Sequence, residues 1–370
     1  VTTERQDTLL HVFSTFAVGG QQRRFAQLAN ALSGYRHIIV AMDGDTSATS
    51  LLSDNVAFET QQVDITKSGS LHPGNIKRLR ALIHKASPAL LCTYSWGALE
   101  AVVANRPLPF AKSLRPHLHF EDGFGPEENS QQQLKRRVLA RSIFLRKSKV
   151  VVPSRVLQSV AVERWQLPAE QVMYIPNGID LTRYAASERQ VPEKVTIGSV
   201  GALRREKNFP RLIRAVSALQ DPSIQLLIAG DGPEKGNLET LIAQLDMQEQ
   251  VKLVGHVDDP TTFYQSCDIF SLCSDTEQMP LTVLEAMATG LPVVATDVGD
   301  VRHMVADENA NYVVARTEEA ALPTVIERLV SNAELRELIG RKNREKAEAA
   351  FGEEQMLRAY DNLFQQLIDG

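Results

Sequence analysis

Glu277 and Glu285 stand in one run, Thr276-Glu277-Gln278-Met279-Pro280-Leu281-Thr282-Val283-Leu284-Glu285-Ala286-Met287, that goes on to Gly290 and Pro292. Pro280 suits the first turn of a helix, which leaves Glu277 in the loop before it and sets Glu285 about one turn inside. Unpaired amides and the dipole at such a helix start favour phosphate, so Met279, Pro280, Leu281 and Thr282 form a candidate phosphate turn. Two ionised carboxylates beside it suit sugar hydroxyls, because charged acceptors make strong hydrogen bonds. Glu285 facing solvent is the plainer reading. It sits badly with the apolar Ala286 and Met287 next to it.

A second run, Gly198-Ser199-Val200-Gly201-Ala202-Leu203-Arg204-Arg205-Glu206-Lys207, has small residues where a strand should end and cations directly after. Glycine permits close approach of a ligand, and Arg204, Arg205 and Lys207 suit a diphosphate. The alternative is a surface turn followed by charges that start a helix. Gly19-Gly20 invites the same pair of readings, backbone amides for an anion or simple turn geometry. It is not the G-x-G-x-x-G of dinucleotide oxidoreductases.

The fourth run is Arg115-Pro116-His117-Leu118-His119-Phe120-Glu121-Asp122-Gly123-Phe124-Gly125. On a strand His117, His119 and Glu121 share a face, open to catalysis, acceptor binding or ordinary core hydrogen bonding. A metal on the histidine pair is the lesser reading, since no further cluster of ligands stands elsewhere in the sequence, and no metal or cofactor is expected. Gly255-His256 ends a strand and could set backbone groups against a base, and Gly230-Asp231-Gly232-Pro233 is a similar turn. Asn177 and Asp180 read as turn and cap residues.

These runs need elements to hold them. Short apolar strands at 9–16, 36–42, 89–94, 117–120 and 149–152 alternate with helical patterns at 21–32, 76–86 and 131–146. A second series has strands at 195–200, 224–229, 251–254, 269–272 and 293–296, with helices clearest at 209–219 and 281–289. Residues 353–368 form a last amphipathic helix with no strand after it. Alternation of this kind builds parallel sheets covered by helices, whose ligands bind where strands run into helices.

The stretch Glu-x7-Glu followed by Ala-Met-Ala-x-Gly-x-Pro-Val-Val resembles the retaining glycosyltransferases of family 4. Three further matches stand in the right order: Gly19-Gly20 with its helix, Ile175-Pro176-Asn177-Gly178-Ile179-Asp180, and Ile228 to Pro233. The resemblance implies a GT-B fold, an α/β architecture of two Rossmann-like domains with parallel sheets facing a central cleft. It implies a nucleotide-sugar donor whose ribose meets Glu285, whose transferred sugar meets Glu277, and whose phosphates meet the amides of Leu281 and Thr282. Lys207 matches the family lysine, but Ala202 stands where the family has arginine, which leaves Arg204 and Arg205 as the candidates for that charge. On the acceptor side two registers are open, one putting Asp122 and the other His119 in the catalytic position. Retention of configuration is likewise an implication of the resemblance. UDP is the favoured donor nucleotide, with guanosine and adenosine open.

The chain has 370 residues, 43% hydrophobic and 23% charged, which suits two domains and excludes a disordered chain. Expected boundaries are 1–168 for an acceptor domain, 169–350 for a donor domain and 351–370 for a helix returning to the first, with a Pro/Gly-containing linker near 166–192. No apolar run approaches the roughly 20 residues of a membrane span, and residues 1–7 do not look like a signal peptide. Three scattered cysteines, Cys92, Cys267 and Cys273, cannot form a disulfide framework, which points to a cytoplasmic setting. Net charge is −5, against nucleic-acid binding. It divides unevenly, with 21 basic and 15 acidic residues up to 180 and 19 against 30 after it. Residues 134–149 contain no acid at all. Read as a helix, Leu134, Val138, Ile143 and Leu145 form a partial apolar stripe beneath Lys135, Arg136, Arg137 and Arg141. That is either a solvated helix or a surface for a lipid-linked acceptor or the anionic inner membrane face. The expected activity is transfer of a hexosyl group to a glycan or lipid-linked oligosaccharide in bacterial polysaccharide or cell-envelope synthesis. A nucleotide-sugar epimerase and a non-catalytic sugar-nucleotide-binding subunit are the alternatives.

Overall fold

The computed structural model describes residues 6–67, 71–106, 114–124, 128, 133–185 and 194–370. The first five residues, Gly125, the expected helix start at 131–132 and Pro192 of the expected linker lie outside them. The chain forms two units, 1–176 with 356–370, and 177–355.

In the first unit the described strands are β1 (Asp7–Phe13), β2 (Tyr35–Ala41), β3 (Phe58–Thr60), β4 (Leu90–Tyr94), β5 (His117–Phe120), β6 (Lys149–Val152) and β7 (Val172–Tyr174). All pair in parallel, in the order β3-β2-β1-β4-β5-β6-β7. Strands buried on both faces need apolar side chains on both, and β1 and β4 carry them almost without interruption. The second unit has β8 (Val195–Val200), β9 (Ile224–Ala229), β10 (Val251–Gly255), β11 (Ile269–Leu272), β12 (Val293–Thr296) and β13 (Val313–Val314), in the order β10-β9-β8-β11-β12-β13. Each order reverses direction beside its first strand, at β1/β4 and at β8/β11. A ligand crevice opens outside the carboxyl ends of strands at such a reversal.

Three differences from the sequence reading have simple causes. The short strands β3, β7 and β13 are too brief to show a period. Because β7 pairs with β6, the first unit extends to Pro176 and does not stop at 168. Residues 351–355 stay with the second unit, where Ile179 donates to the Phe351 carbonyl and bridges to Gly352. From Met356 on, the helix Glu353–Asp369 belongs to the first unit, and its Met356, Tyr360, Leu363 and Phe364 join the cluster around Phe13, Tyr35 and Phe120.

That cluster encloses two histidines. His11 Nδ1 lies 2.9 Å from the Tyr94 hydroxyl and His11 Nε2 lies 3.0 Å from His37 Nδ1. Burial holds His37 down at about 4, and burial together with His37 holds His11 well below the ordinary 6.5. The folded pair therefore resists protons that the unfolded chain accepts. Its stabilisation is complete above pH 6.5 and drains away as pH falls toward 4. Thermal midpoints measured across that window should fall with acid, and His37→Asn, which cannot charge, should flatten the slope; equal slopes would show that the pair does not drive it.

Candidate functional site

β8 ends at Val200, and Gly201 continues the ladder by donating to the Ala229 carbonyl at 2.9 Å. Gly230, at φ +138°, packs against the Gly201 carbonyl so closely that a side chain would strike backbone. The Gly230-Asp231-Gly232 turn thus supports the one after β8, and Leu203 donates to the Asp231 carbonyl. A single 3-10 turn, Arg205–Lys207, follows, closed by Asn208 in the left-handed region before the helix Phe209–Ser217.

This turn presents Lys207 to the loop after β11. Lys207 Nζ lies 2.5 Å from Glu277 Oε1, which also accepts from Ser274 Oγ at 2.8 Å. An ammonium carries three donors, so Lys207 keeps capacity for phosphate oxygens. The loop is fixed at several points. Arg211 donates to Asp275 at 2.9 Å and to the Cys273 carbonyl at 2.8 Å, and Asp275 N–H donates to the Glu206 carbonyl. On its other side Gly299, at φ +53°, lies against the backbone of Glu277 and Gln278, where any Cβ would collide. Arg204 and Arg205 are exposed on the same turn.

The helix Leu281–Ala288 starts after Pro280 with no side-chain cap and no acid in its first turn. Among the described residues the Thr282 hydroxyl is buried without a hydrogen-bond partner. An uncapped helix start with an orphaned hydroxyl beside it is chemically suited to an anion. Asn177 does more than turn the chain, since its Nδ2 donates to the Met279 carbonyl at 2.9 Å. Asp180 is a cap, accepting from the amides of Thr182 and Arg183. Glu285 Oε2 accepts from the Tyr264 hydroxyl at 2.6 Å, and Oε1 from Tyr184 at 3.2 Å. Neither tyrosine is marked by spacing, because each reaches Glu285 only through the fold. Gly255 takes φ +78° and its carbonyl accepts from Gly230, whereas the His256 side chain is exposed beside Asp258.

In the first unit Gly19 precedes the helix Gly20–Ala31, which also lacks a side-chain cap. Neither Gly19 nor Gly20 has positive φ, and a Cβ on Gly20 would meet nothing. Turn geometry therefore does not demand glycine at 20, and the open space is available to a ligand. Asp122 sits at the carboxyl end of β5, accepting from Gln21 Nε2 at 2.6 Å and paired with Arg24 at 2.5 Å. Gln21 also reaches Ser95 Oγ at 3.0 Å, and Ser95 holds a strained φ of +56° directly after β4. Arg24 is buried, with Phe120 and Tyr360 rings against its guanidinium.

His119 is placed differently from Asp122. It is buried, 2.8 Å from Thr93 Oγ1 and 3.6 Å from Glu121, and Thr93 also meets His117, which in turn reaches Ser148. Burial alone would raise the Glu121 carboxyl, but Arg141 and His119 more than offset it and hold it below the usual range. Among the described residues no three His, Cys, Asp or Glu side chains are grouped to hold a metal.

The basic helix, Lys135–Phe144, has a rotation the sequence pattern did not anticipate. Arg141 is an interior residue at 1% exposure, bonded to Glu121 and Glu128 and enclosed by the rings of Trp96, Phe124 and Trp165. Arg137 also turns inward, to Glu128 and the Trp96 ring. Neither belongs to an outer cationic surface, because carboxylates brought in from β5 and residue 128 outcompete water for them. Lys135 and Arg136 remain exposed, and so do two apolar residues, Leu139 at 60% and Ile143 at 39%. Ile143 thus leaves the expected inward stripe.

Comparison with known proteins agrees with these two halves. Residues 18–183 match the family model for Glycosyltransferase Family 4, and residues 182–346 match that for Glycosyl transferases group 1. The chain is 34% identical over 146 residues to an uncharacterized glycosyltransferase of Haemophilus influenzae, 39% of this chain and 41% of that one. It is 30% identical over 162 residues to the lipopolysaccharide core biosynthesis glycosyltransferase LpsE of Rhizobium meliloti, 44% of this chain and 47% of that one. The chain thus spans less than half the length of these two curated relatives. The crystal structure of Anabaena Alr3699/HepE in complex with UDP superposes with a TM-score of 0.80 at 18% identity, over 97% of this chain and all of that one. With two parallel Rossmann-like units in tandem and both family signatures in order along it, this chain belongs to the family 4, group 1 glycosyltransferases and has their GT-B fold.

Proposed function

We propose that the protein transfers a hexosyl group, with retention, from a nucleoside-diphosphate sugar to a hydroxyl of a glycan or lipid-linked oligosaccharide in polysaccharide or cell-envelope synthesis. The observation that carries this reading is the cluster outside β8 and β11. Lys207 and Glu277 are already paired beside an uncapped helix start with an orphaned Thr282 hydroxyl. Amides of Leu281 and Thr282, Lys207 and one of Arg204 or Arg205 would stabilise charge on the departing diphosphate, the largest contribution such a site can make. Glu277 would hold hydroxyls of the transferred sugar. The glycosidic C–O bond to phosphate breaks, the acceptor oxygen bonds the anomeric carbon on the same face, and its proton passes to the leaving phosphate oxygen. No metal enters these steps. UDP is favoured by the UDP complex of the Anabaena neighbour.

On the acceptor side, Asp122 is the better candidate than His119, since it lies at the strand end and His119 is enclosed. Arg24 and Gln21 fix the Asp122 carboxylate, which suits it to accept a hydrogen bond from an acceptor hydroxyl. A lipid-linked acceptor is favoured by Leu139 and Ile143, one turn apart and exposed, with Lys135, Arg136, Arg146 and Lys147 exposed on the same segment. No helix is long and apolar enough to cross a membrane, among the described residues.

Thermal stabilisation by UDP, GDP, ADP and NAD in EDTA tests the donor. A ligand at 100 times its Kd adds about 2.7 kcal/mol, so one diphosphate should give a clear shift and NAD none; a response to NAD alone would overturn the reading. With that donor, Lys207→Ala and Glu277→Ala should each lower kcat by about 100-fold or more, and EDTA should not. Unimpaired turnover in both variants would remove the site assignment. Donor isomerised without acceptor would indicate the epimerase, and binding without turnover the supporting subunit. Co-sedimentation with phosphatidylglycerol vesicles should drop several-fold in Leu139→Ser/Ile143→Ser; no binding by the parent chain would argue for a soluble acceptor.

A further inference from the structure

We infer that Tyr184 and Tyr264 are positioning residues which aim the Glu285 carboxylate at a ribose diol and so make the second unit select ribonucleoside over 2′-deoxyribonucleoside diphosphates. The inference rests on the reading of Glu285 as the ribose ligand. Each carboxylate oxygen receives one phenol, Oε2 from Tyr264 at 2.6 Å and Oε1 from Tyr184 at 3.2 Å. Two phenols, one on each oxygen, fix the plane of the carboxylate. An unheld glutamate would lose side-chain freedom on binding, whereas a held one has already lost it.

The two phenols are themselves held from different elements. Tyr264 is fully buried on the helix Pro260–Gln265. Tyr184 follows the Asp180 cap, and its carbonyl accepts from Arg344 at 2.7 Å. The same guanidinium donates to the carbonyls of Leu181 and Ala288. Arg344 thereby ties the last turn of the Glu285 helix to the segment that carries Tyr184. Burial first, and then the Glu285 charge, push ionisation of the Tyr264 hydroxyl far above its ordinary range, so it stays a donor. The two ring centroids are 6.0 Å apart, edge to face, a packing that phenylalanine would preserve. The effect is predicted on the nucleotide and not on the transferred sugar.

Calorimetric Kd values for UDP and 2′-deoxy-UDP decide it, measured on the full chain, Tyr184→Phe, Tyr264→Phe, the double variant and Glu285→Gln. Where GDP or ADP is the diphosphate that binds, its ribo and 2′-deoxy forms replace the pair. A hydrogen bond to a charged group corresponds to about tenfold or more, so the parent chain should prefer the ribo form by that factor. The double variant should prefer it by less than about threefold, through weaker binding of the ribo form alone. Equal weakening of both nucleotides would mean a merely structural role and overturn the inference. So would tyrosine variants with parental selectivity when Glu285→Gln has lost it, and in that case the ribose role of Glu285 stands. Selectivity unchanged in Glu285→Gln, or absent from the parent chain, would remove the ribose reading itself.

Discussion

A parallel sheet whose strand order reverses must send neighbouring connections to opposite faces, and between them the carboxyl ends of two adjacent strands are left without a covering helix. In this chain the reversal occurs twice, at β1/β4 and at β8/β11. The polar clusters lie outside those same strand ends. Gln21, Ser95 and Asp122 gather in the first unit, and Lys207, Ser274 and Glu277 in the second. Residues 70, 74 and 101 positions apart in sequence meet there. The chemistry is therefore a consequence of topology first and of side-chain choice second.

Side-chain choice then sets how firmly each charge is held. Arg24 and Arg141 are guanidiniums taken out of water, and each is given carboxylate partners and aromatic faces. Removing one partner from such a buried set leaves an uncompensated charge, which costs far more than the intact set contributes. Arg141 also determines which way its helix turns. Once that guanidinium is committed to Glu121 and Glu128, the period of 3.6 residues per turn carries Leu139 and Ile143 outward. Lys207, by contrast, is only partly buried and shares one carboxylate oxygen with a serine, an arrangement that a phosphate can enter.

Much of the architecture was legible beforehand. The alternation of apolar strands with amphipathic helices is a local property, and 117–120, 149–152, 195–200, 224–229, 269–272 and 293–296 were read to the residue. Strands of two or three residues carry no period, so β3, β7 and β13 were invisible, and with β7 went the position of the division between units. The four motifs were legible for another reason. Glycine, proline and charged residues at strand ends are dictated by turn geometry and by the ligand chemistry of free amides, and both leave marks at fixed local spacing.

The set of elements, their parallel arrangement and the runs of residues that could meet an anion or a sugar are thus local properties of the chain. Which charges are spent internally depends on the folded molecule. The half-buried Arg137 and the buried Arg141 are indistinguishable in sequence from the exposed Lys135 and Arg136, because a cation's exposure depends on carboxylates delivered from elsewhere in the chain. His119 lies inside the Thr93 network and Asp122 at the strand end, a difference that no local spacing marks. Tyr184 and Tyr264 carry no signal at all along the chain. Their hydroxyls reach Glu285 from 101 and 21 residues away, a distance that folding alone can close.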